Sequence, residues 1–180
     1  MSIACIVDTK LGAHEIISVF CNPEDYYSAV VGFAAAADDD YFVLKNVSTE
    51  GKYDGYALRK KDQIFRIDQK TAYENNLLKL YTHYGQSHAA VEIEGGLLPG
   101  FLAFVQNGHL VAGIGVRDYT GSSVSGFIDT IDAENEMVSL HLLNDNGEFD
   151  GYADISFASI VRMSVDCEKQ QRLKVLHQMI

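Results

Sequence analysis

The first half of the chain brings together side chains that could contact a nucleic acid. Positive charge and one aromatic ring are combined at Lys45, Lys52, Tyr56, Arg59, Lys60, Lys61 and Arg66. Cations that neutralise phosphates beside rings that stack on bases are typical of proteins that bind single-stranded RNA. The alternative is a solvated strand edge, where lysines prevent edge-to-edge aggregation. The second half replaces Arg59-Lys60-Lys61 by Ile155-Ser156-Phe157, which confines such a site to the first half.

The residues that could carry catalysis or bind a metal form no recognisable motif. No nucleophile elbow, phosphate-binding loop or HExxH zinc motif occurs in the sequence. His83 and His88 could ligate a metal only with a third group. Cys5, Cys21 and Cys167 lack the CxxC spacing, which indicates reduced thiols and neither a disulfide framework nor a zinc site. We therefore expect no cofactor and no enzyme; a small-molecule-binding enzyme is the third-ranked interpretation and would need a deep pocket.

The charge of the chain disfavours nonspecific binding to polyanions. It carries 25 acidic and 14 basic side chains, a formal net charge of −11, and the second half holds most of the excess. Such a field repels phosphate, so DNA is not an expected partner. The N-terminus lacks a basic region followed by an apolar core, and no apolar run approaches the roughly 18 residues that span a bilayer. The sequence predicts a cytoplasmic protein without a membrane partner.

One seven-residue segment, here called the repeated phrase, occurs twice in nearly the same form. GKYDGYA at 51–57 recurs as GEFDGYA at 147–153, and residues 51–81 match residues 147–177 without a gap. Nine of the 31 positions are identical, where roughly two are expected from average residue frequencies. The identical pairs are Gly51/Gly147, Asp54/Asp150, Gly55/Gly151, Tyr56/Tyr152, Ala57/Ala153, Ile64/Ile160, Arg66/Arg162, Leu77/Leu173 and Leu80/Leu176. The match predicts an internal duplication.

The repeated phrase itself has the composition of a turn that leads into a strand. Asp bonds local amides, Gly permits a positive φ, and Tyr and Ala then begin a strand. We accordingly assign a structural role in each repeat to Asp54, Gly55, Tyr56, Asp150, Gly151 and Tyr152. Gly95-Gly96 and Pro99-Gly100 are linker signals between the copies. The predicted organisation is a first repeat at 1–86, a linker at 87–96 and a second repeat at 97–180.

Each repeat shows short β-rich runs followed by one helix. Strands are predicted in the first repeat at 16–20, 29–36, 41–46, 56–59 and 64–67, and in the second at 126–132, 137–143, 152–155 and 160–165. In the first repeat, Thr71 and Glu74 have the spacing of a capping box that starts a helix. The fold class is therefore mainly β with short helices, as two five-stranded small barrels, each followed by a C-terminal helix.

The stretch from Ile16 to Asp68 resembles the Sm-like family of SH3-like small barrels. It has a strand and polar turn, a Gly followed six residues later by an Asp (Gly32 to Asp38), an aliphatic strand and a final strand. The second repeat keeps that spacing with Gly126 and Asp132. Where many Sm proteins place an RNA-contacting Asn, this chain has Phe42 and Glu136. The resemblance therefore implies the fold more than RNA recognition.

These observations predict a tandem, non-catalytic binding or scaffolding module. Small barrels leave edge strands that add a strand from another chain, so a protein partner or a homo-oligomer is expected. Binding of single-stranded RNA through the first-repeat cluster is the alternative.

Overall fold

The structure is a computed structural model that describes residues 2–22, 24–116 and 123–180. It is mainly β, with 39% strand against 26% helix, which confirms the predicted class. The chain divides into two compact units, unit 1 at residues 1–91 and unit 2 at residues 92–180. None of the described helices is long and apolar enough to cross a membrane.

Unit 1 contains a five-stranded antiparallel sheet. In the order of the chain, one helix precedes these strands and one follows them. Its elements are α1 (Cys5–Thr9), β1 (Ile17–Phe20), β2 (Val30–Ala37), β3 (Tyr41–Val47), β4 (Tyr53–Lys60), a 3-10 turn (Lys61–Gln63), β5 (Arg66–Gln69) and α2 (Ala72–His83). The strands lie in the order β5-β1-β2-β3-β4. Neighbouring strands of this order are joined by short connections, except for β5, which returns to pair with β1.

Unit 2 follows the same sequence of elements. These are α3 (Leu97–Asn107), β6 (Val111–Val116), β7 (Val124–Asp132), β8 (Met137–Leu143), β9 (Phe149–Ser156), a 3-10 turn (Phe157–Ser159), β10 (Ile160–Val165) and α4 (Glu168–Gln178). The strand order β10-β6-β7-β8-β9 repeats that of unit 1. Register shifts also recur, between Ala34 and Ala36 and between Ile128 and Thr130.

The two positions in the repeated phrase require glycine for different structural reasons. Gly51 and Gly147 adopt φ of 75° and 81°, and a Cβ on either would lie 2.4 or 2.7 Å from the Leu80 or Leu176 Cβ of the following helix. Gly55 and Gly151 also have positive φ, at 68° and 83°. The first glycine of the phrase therefore lets a hairpin approach a helix, and the second permits a bend in the strand.

The predicted capping box starts α2. The Thr71 side chain accepts from the Tyr73 N–H, and the Glu74 carboxylate accepts from the Thr71 N–H. Glu74 is buried, and Ser18 on β1 donates a hydrogen bond to it at 2.5 Å. Unit 2 has Cys167 and Gln170 at the two positions, and no side chain caps α4.

Removal of the Thr71 cap gives a prediction with a control inside the same chain. Thr71→Ala is expected to lower the free energy of unfolding by about 1 kcal/mol, because the first turn of α2 loses its side-chain acceptor. Cys167→Ala at the equivalent N-cap is expected to cost less than about 0.5 kcal/mol, since no cap bond is lost. Urea unfolding of both variants measures the difference; equal losses would contradict the role of the cap.

The apolar residues of each sheet pack against the helix of the same unit. In unit 1, one cluster gathers Val7 of α1 with Phe42 and Leu44, and another packs Leu77 and Tyr81 of α2 on Phe33. In unit 2, Leu173 of α4 packs on Val111 and Leu143. The positions of these residues alternate along the strands, as the pleat requires.

The predicted elements need several corrections. β4 and β9 begin at Tyr53 and Phe149, three residues before the predicted strands, because the bulges at the repeated phrase do not end the pairing. The strand predicted at 64–67 begins two residues too early, because residues 64 and 65 lie between a 3-10 turn and the start of β5. Pro99-Gly100 is not part of a linker but lies in the first turn of α3, where Pro needs no intrahelical N–H bond. A helix thus precedes the strands in each unit, as α1 and α3.

Candidate functional site

The seven predicted nucleic-acid contacts are spread over β3, β4, β5 and the turns between them in unit 1, and several have partners within this unit. Lys61 is 9% exposed and its Nζ lies 2.6 Å from Asp8 Oδ1. Arg66 donates two hydrogen bonds to Asp68, at 2.8 and 2.6 Å, and this pairing raises the pKa of the guanidinium. These two cations are held by carboxylates of their own unit.

The remaining members of this cluster lie on both faces of the sheet. Lys60 Nζ is 5.5 Å from the centre of the Tyr41 ring, and Arg59 donates to the Leu58 carbonyl at 2.8 Å. Successive residues of a strand point to opposite faces, so Arg59 and Lys60 do not share one surface. Lys52 lies in the hairpin, 3.6 Å from Glu50.

Lys45 and Tyr56 are brought together, as a directly opposed pair of β3 and β4, but a chain segment covers Tyr56. This segment, residues 86–89, is here called the strap. Gln86 Oε1 accepts from the Tyr53 N–H at 2.9 Å, and the Tyr56 hydroxyl donates to the Ala89 carbonyl at 3.4 Å. Tyr56 is 2% exposed. The ring that we predicted as a stacking platform is therefore occupied by the protein's own chain.

His88 is the ring at the centre of the strap. It contacts Tyr53, Tyr56 and Tyr81, with ring centres 4.5, 5.4 and 5.8 Å away. Its Nδ1 hydrogen-bonds the Tyr81 hydroxyl at 2.7 Å, and its Nε2 lies 3.0 Å from the Gly55 carbonyl oxygen. Burial lowers the pKa of His88 to about 4. The strap thus carries a neutral imidazole at pH 7.

Unit 2 carries a row of five rings on and around β9, the strand equivalent to β4, and two of these rings are exposed. The row, here called the aromatic ladder, consists of Phe127, His177, Phe149, His141 and Tyr152. His141 stacks on Phe149 and Tyr152, with ring centres 3.5 and 4.5 Å apart and nearly parallel planes. His177 meets Phe149 edge-on at 4.5 Å.

Two rings of this ladder are more exposed than the equivalent rings of unit 1. Tyr152 is 62% exposed and Phe149 is 49% exposed, whereas Tyr56, the counterpart of Tyr152, is almost fully buried. In the order of the described strands, β9 is terminal, so no described strand pairs with its outer edge. Adjacent exposed rings on such an edge are typical of an interaction surface.

The surroundings of the ladder are acidic. Glu148, Asp150 and Asp154 are exposed on or beside β9, and none of the three forms an ion pair with a described residue. The counterparts of Glu148 and Asp154 in unit 1 are Lys52 and Leu58. The ladder is thus an aromatic surface with a negative rim, which repels phosphate and attracts cations.

Two comparisons with known proteins found no match. The sequence matches no protein-family model and no curated protein.

Charged groups of a second candidate site already form ion pairs with each other or with neighbouring residues. An open cleft in unit 1 is lined by Glu15, Lys70 and Glu74, among others. Glu15 pairs with Lys10 at 2.6 Å, which lowers its pKa, and with Lys70 at 3.4 Å. Within the described residues, no three His, Cys, Asp or Glu side chains gather as they would around a metal.

The aromatic ladder was missed in the sequence. The turn chemistry of Asp-Gly-Tyr-Ala predicts a structural role for both Tyr56 and Tyr152, but the same residue in the same turn does not imply the same burial. The available signal was the replacement of Lys45 and Tyr81 by His141 and His177 at repeat positions that flank the phrase. The exchange at Lys45 adds a ring on β8 beside Phe149 and Tyr152, and the exchange at Tyr81 keeps a ring on the following helix, α4.

Proposed function

We propose that the protein is a binding module in which unit 2 captures an extended segment of a protein partner along β9. The observation that supports this most is the exposure of Phe149 and Tyr152, at 49% and 62%, on a terminal strand whose unit 1 counterpart is covered by the strap. The strap shows which groups of a polypeptide contact β4, the unit 1 strand equivalent to β9: one side-chain acceptor, one imidazole and one carbonyl.

Strand addition explains why the surface suits a polypeptide. An unpaired edge offers backbone N–H and C=O groups to an incoming chain, and exposed rings add apolar contact area at low entropic cost. A nucleic acid would instead bring phosphates to Glu148, Asp150 and Asp154, which favours the protein partner over RNA at this surface. The RNA proposal remains confined to the unit 1 cluster.

A tandem duplication of a Sm-like small barrel is the finer part of the same proposal. Its support is the shared strand order, the shared bulges, and left-handed residues at equivalent positions, Lys70 and Asp166 included. Under this proposal the two copies have diverged in use: unit 1 covers its β4 aromatic surface with its own chain, and unit 2 leaves the equivalent surface to a partner.

Selection of displayed peptides on the full chain tests the proposed function. Peptides selected on the wild-type protein are expected to bind the Phe149→Ala/Tyr152→Ala variant at least tenfold more weakly, because the two most exposed rings of the surface are gone. The matched control is Tyr26→Ala/Tyr27→Ala, which removes two exposed rings from unit 1. Fluorescence anisotropy measures both affinities.

Two outcomes would overturn the proposal. One is the absence of any enriched peptide after selection. The other is a set of peptides that bind the two double variants equally well. Self-association is read from light scattering across micromolar concentrations: a mass increase that is lost in Phe149→Ala/Tyr152→Ala would identify a second copy as the partner.

A further inference from the structure

We infer that the ligand of β9 is an extended, net-positive peptide that presents a carboxamide side chain to the Phe149 N–H. This inference rests on the proposed function and adds the chemistry of the partner. Three features of the chain support it: the contacts of the strap in unit 1, the place of His141 in unit 2, and the acidic rim of β9.

The carboxamide follows from the equivalence of the two hairpins. The Ser48 N–H donates to the Lys52 carbonyl and the Asn144 N–H to the Glu148 carbonyl, at 2.9 and 3.0 Å. Alternate pairs of an antiparallel ladder exchange hydrogen bonds, so the next N–H on each returning strand points away from its partner strand. In unit 1 that N–H belongs to Tyr53, and Gln86 Oε1 accepts from it.

In unit 2 the corresponding N–H belongs to Phe149, which pairs with Leu143 as Tyr53 pairs with Val47. No side chain in the described part of unit 2 accepts from it. A ligand that supplies Gln or Asn at this point repeats the strap contact. A backbone amide on an otherwise apolar surface gains most from such an acceptor when the ligand excludes water.

The ligand needs no imidazole of its own. In unit 1 the ring beside Tyr53 and Tyr56 comes from the strap, as His88. In unit 2 the ring between Phe149 and Tyr152 comes from β8, as His141. The ladder is therefore assembled before a ligand arrives, and the ligand is expected to lay a flat backbone with small side chains on it.

The positive charge follows from the rim. Glu148, Asp150 and Asp154 are exposed carboxylates without an ion-pair partner among the described residues, and unit 2 contributes most of the negative charge of the chain. The position in unit 1 equivalent to Glu148 is occupied by Lys52. A basic peptide is therefore attracted to the carboxylates around β9. A peptide with only the strap sequence lacks the added cations and does not gain this electrostatic attraction.

The test titrates the wild-type full chain with designed peptides and follows backbone amide signals by NMR. The parent peptide has the sequence of residues 83–91, HYGQSHAAV, which contains the strap, flanked by two lysines at each end. It is expected to shift signals of residues 149–156. Replacement of the peptide's glutamine by leucine is expected to weaken binding about fivefold, because one hydrogen bond is lost. Replacement of its four added lysines by glutamates is expected to weaken binding at least tenfold at low salt.

The outcomes separate this inference from the proposed function. If all three peptides bind residues 149–156 equally, the inferred chemistry is wrong and the proposed function stands. If the selected peptide library enriches neither carboxamides nor lysine and arginine, the inference is again wrong. If neither the designed nor the selected peptides bind, both fail. Shifts at residues 53–56 without shifts on β9 would show exchange with the strap and also overturn the inference.

Discussion

Gly147→Ala is expected to lower the free energy of unfolding by about 3 kcal/mol, while Gly151→Ala costs about 1 kcal/mol. Both glycines belong to the repeated phrase and both have a positive φ, of 81° and 83°. A Cβ on Gly147 would lie 2.6 Å from the His177 backbone nitrogen and 2.7 Å from the Leu176 Cβ. A Cβ on Gly151 would meet nothing within 4 Å. The difference between the variants therefore measures the helix contact alone.

Chemical unfolding of both variants, with Gly51→Ala as the unit 1 counterpart, checks this prediction. Gly51→Ala is expected to resemble Gly147→Ala, because its Cβ would lie 2.4 Å from the Leu80 Cβ. Equal and small losses for Gly147→Ala and Gly151→Ala would contradict the account of the phrase as a hairpin that packs on a helix.

Acidification is expected to destabilise the wild-type chain through His88 by about 3 kcal/mol between pH 7 and pH 4. Burial lowers the pKa of His88 to about 4, below its ordinary 6.5, and Lys45 adds to this effect. The unfolded chain therefore binds this proton at a higher pH than the folded chain does. The contribution of neutral His88 to the free energy of unfolding is fully present above pH 6.5 and is lost as the pH falls towards 4.

The contribution of His88 is isolated by comparison with His88→Gln, which does not titrate. Urea unfolding at pH 7, 5.5 and 4 is expected to show a steeper loss of stability for the wild-type chain than for the variant. The groups that face the ring are Lys45, Tyr53, Tyr56 and Tyr81, and lysine and tyrosine side chains ordinarily titrate well above this range. Parallel pH profiles for the two proteins would show that the strap is not held by a neutral His88.

The fold was predictable from the sequence where local chemistry decides it. β8 and β10 have the predicted bounds, and α2 begins at the predicted capping box. α3 was missed because Pro99-Gly100 indicates a turn, whereas Gly100 is buried and a Cβ there would lie 2.6 Å from Ile93. That close approach within unit 2 depends on tertiary packing, which a local pattern does not encode.

The candidate site was less predictable than the fold. The identity of Tyr56 and Tyr152 indicated one role for both, and the two rings differ because residues distant in sequence cover only the first. The linker predicted at 87–96 from glycine and proline turn signals includes residues 87–89 of the strap, and Gln86 ends the first predicted repeat. The contacts of the strap are specific side-chain bonds to β4, which neither hydrophobic period nor turn chemistry reveals.

Amide hydrogen exchange along β9 tests the central claim most directly. In the full chain saturated with a peptide selected on the wild-type protein, the amides of residues 149–156 that point away from β8 are expected to exchange at least tenfold more slowly than in the free chain. The amides of residues 53–60 in unit 1 are expected to be unchanged. Protection of residues 53–60 with none along β9 would contradict the claim that unit 2 presents the binding edge.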